Sequence, residues 1–164
     1  MSNRDLVYGA LLTALSLLIP IAFGNYLRVY LPPFSATLTS HVPVMLAMLV
    51  SPTIAVLVGV GSTIGFLIVL GPVIAARAAV HVLVGFIGAV IIARKNSFAT
   101  ALLVTAPIHA IGEAVVVLPF GFTLYQAWFL VGIGTILHHG ADALISVAIA
   151  TSLKVAHSSY THGR

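Results

Sequence analysis

Three pairs of ionisable or imidazole side chains stand four residues apart in an otherwise apolar chain: Arg77 with His81, His109 with Glu113, and His138 with Asp142. Residues at that spacing share one face of a helix, so each pair reads as a polar stripe. A charged side chain at the centre of a bilayer costs about 3 kcal/mol on insertion scales, and such residues turn toward a bundle interior or a watery cavity. The chemistry they offer is recognition. The Arg77 guanidinium matches the fork of a carboxylate, while His81, His109 and Glu113 suit the remaining polar groups of a solute. Ser35, Thr37, Thr39, Ser40 and His41 are placed to close such a cavity from a loop. The alternative is that Arg77 and Glu113 neutralise each other and tie helices together. His138 and Asp142 read as a structural couple, with a proton relay as the second possibility.

Bond-making chemistry finds little support. No HExxH, GxSxG or GxxxxGK[ST] motif occurs, so no metal site, catalytic residue or nucleotide-binding loop is expected. The chain has no cysteine, which excludes disulfides and thiolate chemistry. No cofactor is expected in this chain, and any use of ATP and magnesium would fall to a partner.

The elements that must position these residues follow from composition. Of 164 residues, 60% are hydrophobic and 6% charged, against about 25% charged in a soluble domain. Lipid can cover such a surface and water cannot. The formal charge of +4 comes from scattered positives without a basic stripe, which argues against nucleic acid. A spanning helix needs roughly 20 mainly apolar residues. The apolar runs and the Ser51-Pro52, Gly71-Pro72 and Pro119 breaks predict helices over 6–23, 36–50, 52–70, 73–93, 97–118 and 125–154. The result is an all-α integral membrane protein, a six-helix transmembrane bundle forming a single domain over 1–164, with a polar tail from His157. The second helix is the awkward one, because only Val42 to Val50 is strongly apolar and that stretch is too short to span.

Arg4, Arg94, Lys95, Lys154 and Arg164 fall at one side of this topology and Arg28 at the other. The excess marks the cytoplasmic side, which places both termini inside and makes the segment from Gly24 to His41 the longest external loop. Small residues four apart, Ala10 with Ala14, Gly61 with Gly65 and Gly85 with Ala89, let helix backbones approach closely.

Six helices in fewer than 200 residues, the Ala10-x-x-x-Ala14 pair and the long first external loop resemble the substrate-binding (S) components of energy-coupling factor transporters, which take up vitamins in bacteria. Residues 32–52 (PPFSATLTSHVPVMLAMLVSP), 77–89 (RAAVHVLVGFIGA), 108–117 (IHAIGEAVVV) and 134–145 (GTILHHGADALI) look like the subgroup associated with pantothenate and niacin. The resemblance implies a protein of the bacterial cytoplasmic membrane that binds its vitamin from outside. The site would form from the first external loop and the outer parts of helices four to six, with the loop as gate. It implies docking on a membrane scaffold subunit through Ala10 and Ala14, with two ATPase subunits supplying energy. Arg77, His81, His109, Glu113, Ser35, Thr37, His41 and Tyr125 would contact the ligand. The many hydroxyl and imidazole groups lean toward pantothenate. Niacin needs an aromatic near the cavity, for which Phe34, Tyr125 and Trp128 stand near the right level; pyridoxine or hydroxymethylpyrimidine would use Glu113 for a ring nitrogen or amine. A different class, a self-sufficient carrier driven by protons through His138 and Asp142, remains the competing reading.

Overall fold

Each apolar run is bounded by residues that start or stop a helix, and the helices form between those marks. A computed structural model describes residues 1–162, with side chains through Leu153. Ser2 and Asp5 close a reciprocal capping box at the start of α1 (Asn3–Leu27). Ser51 caps α3 (Pro52–Val69), with Pro52 in the first turn where its missing N–H costs nothing. Gly71, at φ 87°, turns the chain into α4 (Pro72–Lys95). That helix ends on left-handed Asn96, with Arg94 and Lys95 facing the negative end of its dipole. Ser97 caps α5 (Phe98–Val116). The last helix opens with π-helical turns over Gln126–Gly132 and continues as α6 (Ile133–His162). The helix therefore runs through the region expected to be a polar tail from His157.

Among the described residues, five helices are long and apolar enough to cross a membrane. The helix expected over 36–50 is not among them. Its place is taken by a hairpin of β1 (Arg28–Leu31) and β2 (Phe34–Thr37), a loop at 38–41, and a six-residue helix, α2 (Val42–Ala47). Six residues rise only about 9 Å, against a hydrocarbon core of about 30 Å.

Even so, the chain makes a second crossing. Gly9 lies against Ile54, while Thr13 and Leu17 of α1 fill the space beside Gly61 and Gly65 of α3. Residue numbers rise together along this contact, so α1 and α3 are parallel. The chain must therefore return between them, and residues 28–51 make that return largely without helix. Helix α4 runs antiparallel to α3, with Gly59 against the Val82 backbone and Gly85 against Ala55. Helices α5 and α6 are antiparallel, since His109 meets His139 and Glu113 meets Thr135. These directions bring Arg4, Arg94 and Lys95 to one end of the bundle and Arg28 to the other. The Lys154 side chain and Arg164 lie outside the described residues.

The broken crossing is the centre of the core. Met45 and Ala47 of α2, with Met48 just after it, pack with Ile54, Ala55 and Val58 of α3, and with Val80, Val84 and Ala89 of α4. A second cluster joins Phe34 and Ala36 of the hairpin to Ala114, Val117, Ala127 and Val131. Helix α1 is the least buried: Ala10, Leu11, Ala14, Leu15 and Leu18 form an exposed apolar row, a surface suited to lipid or a membrane partner.

Candidate ligand-binding site

Non-helical backbone at membrane depth must be hydrogen-bonded by protein, and this requirement explains the first part of the site. The loop at 38–41 turns back into the bundle, with Thr39 in a left-handed conformation (φ 71°). The carboxylate of Asp142 accepts the backbone N–H of Thr39 (2.7 Å) and that of His41 (2.9 Å). His138 Nε2 lies 3.0 Å from the Thr37 carbonyl and 3.2 Å from Asp142 Oδ2. The His138–Asp142 stripe thus anchors the broken crossing to α6.

The second part joins α4, α5 and the hairpin. Arg77 donates from Nε (3.0 Å) and Nη2 (2.8 Å) to Glu113 Oε2, and from Nη1 (2.9 Å) to the Ser35 carbonyl. Thr135 Oγ1 donates to the same Glu113 oxygen at 2.5 Å. The guanidinium also lies 5.2 Å from the ring centroid of Phe34, within cation–π range. Guanidinium and carboxylate compensate each other away from water, so the ion-pair reading of Arg77 and Glu113 is the geometry observed. Arginine carries five N–H donors; with three engaged here, two remain for a ligand.

Imidazoles fill the space between these parts. The His41 ring centroid lies 4.6 Å from that of His81, 4.6 Å from His109 and 4.2 Å from His138. His109 and His139 face each other through Nδ1 at 3.1 Å, and His139 Nε2 is 3.0 Å from the Leu102 carbonyl.

Above this cluster is a cavity of about 510 Å³ bounded by α1, α3, α4 and the hairpin, within the 300–1,000 Å³ typical of small-molecule sites. Of the residues singled out in the sequence, Arg77, His81, Glu113, Ser35, Thr37 and His41 line it. His109 is buried just behind, reaching the cavity through Glu113 Oε1 at 3.4 Å. Tyr125 does not belong to it: its ring is exposed and stacks on Phe129 at 5.3 Å. The aromatic wall is Phe66 instead.

Sequence reasoning also missed Arg28 and Asn25, which line the mouth of the cavity. Arg28 sits 5.1 Å from the Tyr30 ring centroid and has no ion-pair partner among the described residues. Its position at the end of a long apolar helix read only as a topology signal. Thr135 was equally silent, since it stands in no spaced pair with a carboxylate.

Five apolar crossings around a buried cluster of charged and imidazole groups define a multi-pass protein of the cell membrane. The chain is similar to the niacin transporter NiaX of Lactococcus lactis subsp. cremoris (strain MG1363), with 40% identity over 96 residues. The match spans 58% of this chain and 42% of that relative, less than half of its length. No protein-family model matches the chain, and no solved structure does. A vitamin transporter as relative is what the family resemblance leads one to expect.

Proposed function

We propose that the chain is the vitamin-binding S component of an energy-coupling factor importer and that its ligand is nicotinate. The supporting observation is the cavity, which presents Arg28 and two unengaged N–H groups of Arg77 beside Phe66. A small planar carboxylate suits that combination, with its charge toward the arginines and its ring against the apolar wall. The lean toward pantothenate rested on many free hydroxyls and imidazoles. Several of these are consumed internally, Thr135 by Glu113 and His138 by the Thr37 carbonyl and Asp142, and the relative carries niacin in its name. ATP hydrolysis would belong to partner subunits, reached through a scaffold protein on the exposed Ala10–Ala14 face. The positive-inside bias places the hairpin outside. The proton-carrier reading loses ground because both oxygens of Asp142 hold backbone N–H groups.

The test is a calorimetric titration of the purified protein with nicotinate, nicotinamide and pantothenate. Nicotinate binds, while uncharged nicotinamide and bulkier pantothenate bind far more weakly. Arg28→Ala lowers nicotinate affinity about tenfold or more, the loss of one charge-assisted contact of roughly 1.5–3 kcal/mol. Binding of pantothenate without nicotinate would refute the assignment.

A further inference from the structure

The imidazole cluster contains a conflict that the ion pair and the anchoring of the loop do not resolve. A carbonyl oxygen only accepts, so the Leu102 carbonyl fixes the proton of neutral His139 on Nε2. His139 Nδ1 is then an acceptor, and His109 must donate from Nδ1. His109 Nε2 is left with a bare lone pair, yet it faces Glu113 Oε1 at 3.4 Å, another acceptor. His81 Nε2 approaches the same oxygen at 3.9 Å. His109 Nε2, His81 Nε2 and His41 Nδ1 are all buried without a hydrogen-bond partner. His109 Nε2 and His81 Nε2 meet at Glu113 Oε1, while His41 Nδ1 lies 3.5 Å from Asp142 Oδ2; unpartnered buried ring nitrogens beside carboxylate oxygens are a setting that a cation among them would satisfy.

The geometry points to a divalent transition-metal site formed by His41, His81, His109 and Glu113 at the base of the cavity. Their ligand atoms all lie within 4.8 Å of one another. The side chains are between 1% and 8% exposed, so water does not compete freely for them. Glu113 divides its labour: Oε2 is taken by Arg77 and Thr135, and Oε1 is left for the ion. His109 donates its other ring N–H to His139, the outer support that metal-bound histidines almost always have. Three imidazoles and one carboxylate, with no sulfur, suit zinc or its borderline neighbours over calcium or magnesium. Metal–nitrogen distances of about 2.0–2.1 Å require the four groups to draw inward from their present spacing. The ligands come from positions 41, 81, 109 and 113 on three separate segments, so no spacing motif announces them. This departs from the expectation of no metal site.

Resting on the nicotinate reading, a second consequence follows. Arg77 already balances Glu113, so a bound divalent ion leaves the cavity base strongly positive. A carboxylate or a ring nitrogen from the ligand is the chemistry that completes such a site.

The experiment uses the purified full chain, stripped with EDTA and dialysed against zinc chloride, with metal counted by mass spectrometry. One zinc per chain is expected. His81→Ala and His109→Ala weaken zinc binding at least tenfold, while Tyr125→Ala, outside the cavity, retains it. Zinc lost in His138→Ala but kept in His81→Ala would overturn the assignment. A misfolded variant would also lose zinc, so the unmodified protein gives an independent reading. Cobalt(II) should produce the intense visible bands of a four-coordinate nitrogen–oxygen site, and a spectrum of hydrated cobalt overturns the proposal. Nicotinate affinity should fall at least tenfold after EDTA and return with zinc; unchanged affinity overturns the ligand-completing role. Zinc binding with no nicotinate binding upholds the metal site and refutes the ligand instead.

Discussion

Asp142 Oδ1 receives the backbone N–H of Thr39 at 2.7 Å across 103 residues of sequence, which ties the only non-helical crossing among the described residues to the middle of α6. Its other oxygen receives the His41 N–H. Removing the carboxylate strands two buried donors, each costing about 1–3 kcal/mol. Asp142→Ala should therefore destabilise the protein by roughly 2–6 kcal/mol. Asp142→Asn keeps one acceptor oxygen and should lose less. Thermal unfolding in detergent measures both, and an Asp142→Ala protein as stable as the parent would contradict the anchoring role.

Arg77 and Glu113 form the second prediction. Breaking a buried ion pair from one side costs about 3–5 kcal/mol because the survivor is uncompensated. Arg77→Met or Glu113→Gln alone should each be strongly destabilising. The double variant should be milder than the sum of the two, and additive losses in unfolding measurements would show the pair uncoupled.

The glycines separate by what surrounds them. A Cβ at Gly59 would sit 2.9 Å from the Val82 backbone, whereas nothing lies within 4 Å of one at Gly140. Gly59→Ala forces α3 and α4 apart and should cost about 1–3 kcal/mol. Gly140→Ala, in an exposed stretch of α6, should be neutral or stabilise by up to about 1 kcal/mol through helix propensity. Melting temperatures of the two variants should move in different directions.

Ala10 and Ala14 stand exposed on α1 while their neighbours Gly9 and Ser16 are buried. Ala10→Trp or Ala14→Trp should leave nicotinate affinity and melting unchanged and should reduce co-purification with the proposed scaffold subunit. Undiminished complex yield would move the docking face elsewhere.

The polar pairs were legible because a helix converts a spacing of four into a shared face, and burial in lipid forces charged faces inward. That logic brought His81, Arg77, His109 and Glu113 together correctly, and it read Asp142 as structural. It failed where no helix exists. Hydropathy sees Val42 to Val50 as half of a span. It cannot see that Asp142, far along the chain, makes the non-helical backbone just before Val42 tolerable. Tyr125 was placed by depth alone, and depth says nothing about which way a ring faces. Arg28 was counted as a charge, although the hairpin that follows it folds its position over the cavity mouth. The zinc-type cluster needed three segments to converge, and a single chain read in order shows no such convergence.

The crossing that depends on Asp142 has a bearing on how the protein is made. Thr39 and His41 leave the ribosome roughly a hundred residues before their acceptor does, a delay of about 5–20 s at ordinary elongation rates. During that interval the N–H groups of Thr39 and His41 lack the acceptor they have in the folded protein, so the loop at 38–41 is not yet held at its final depth. The seating of this loop is thus a late step that waits on the final helix.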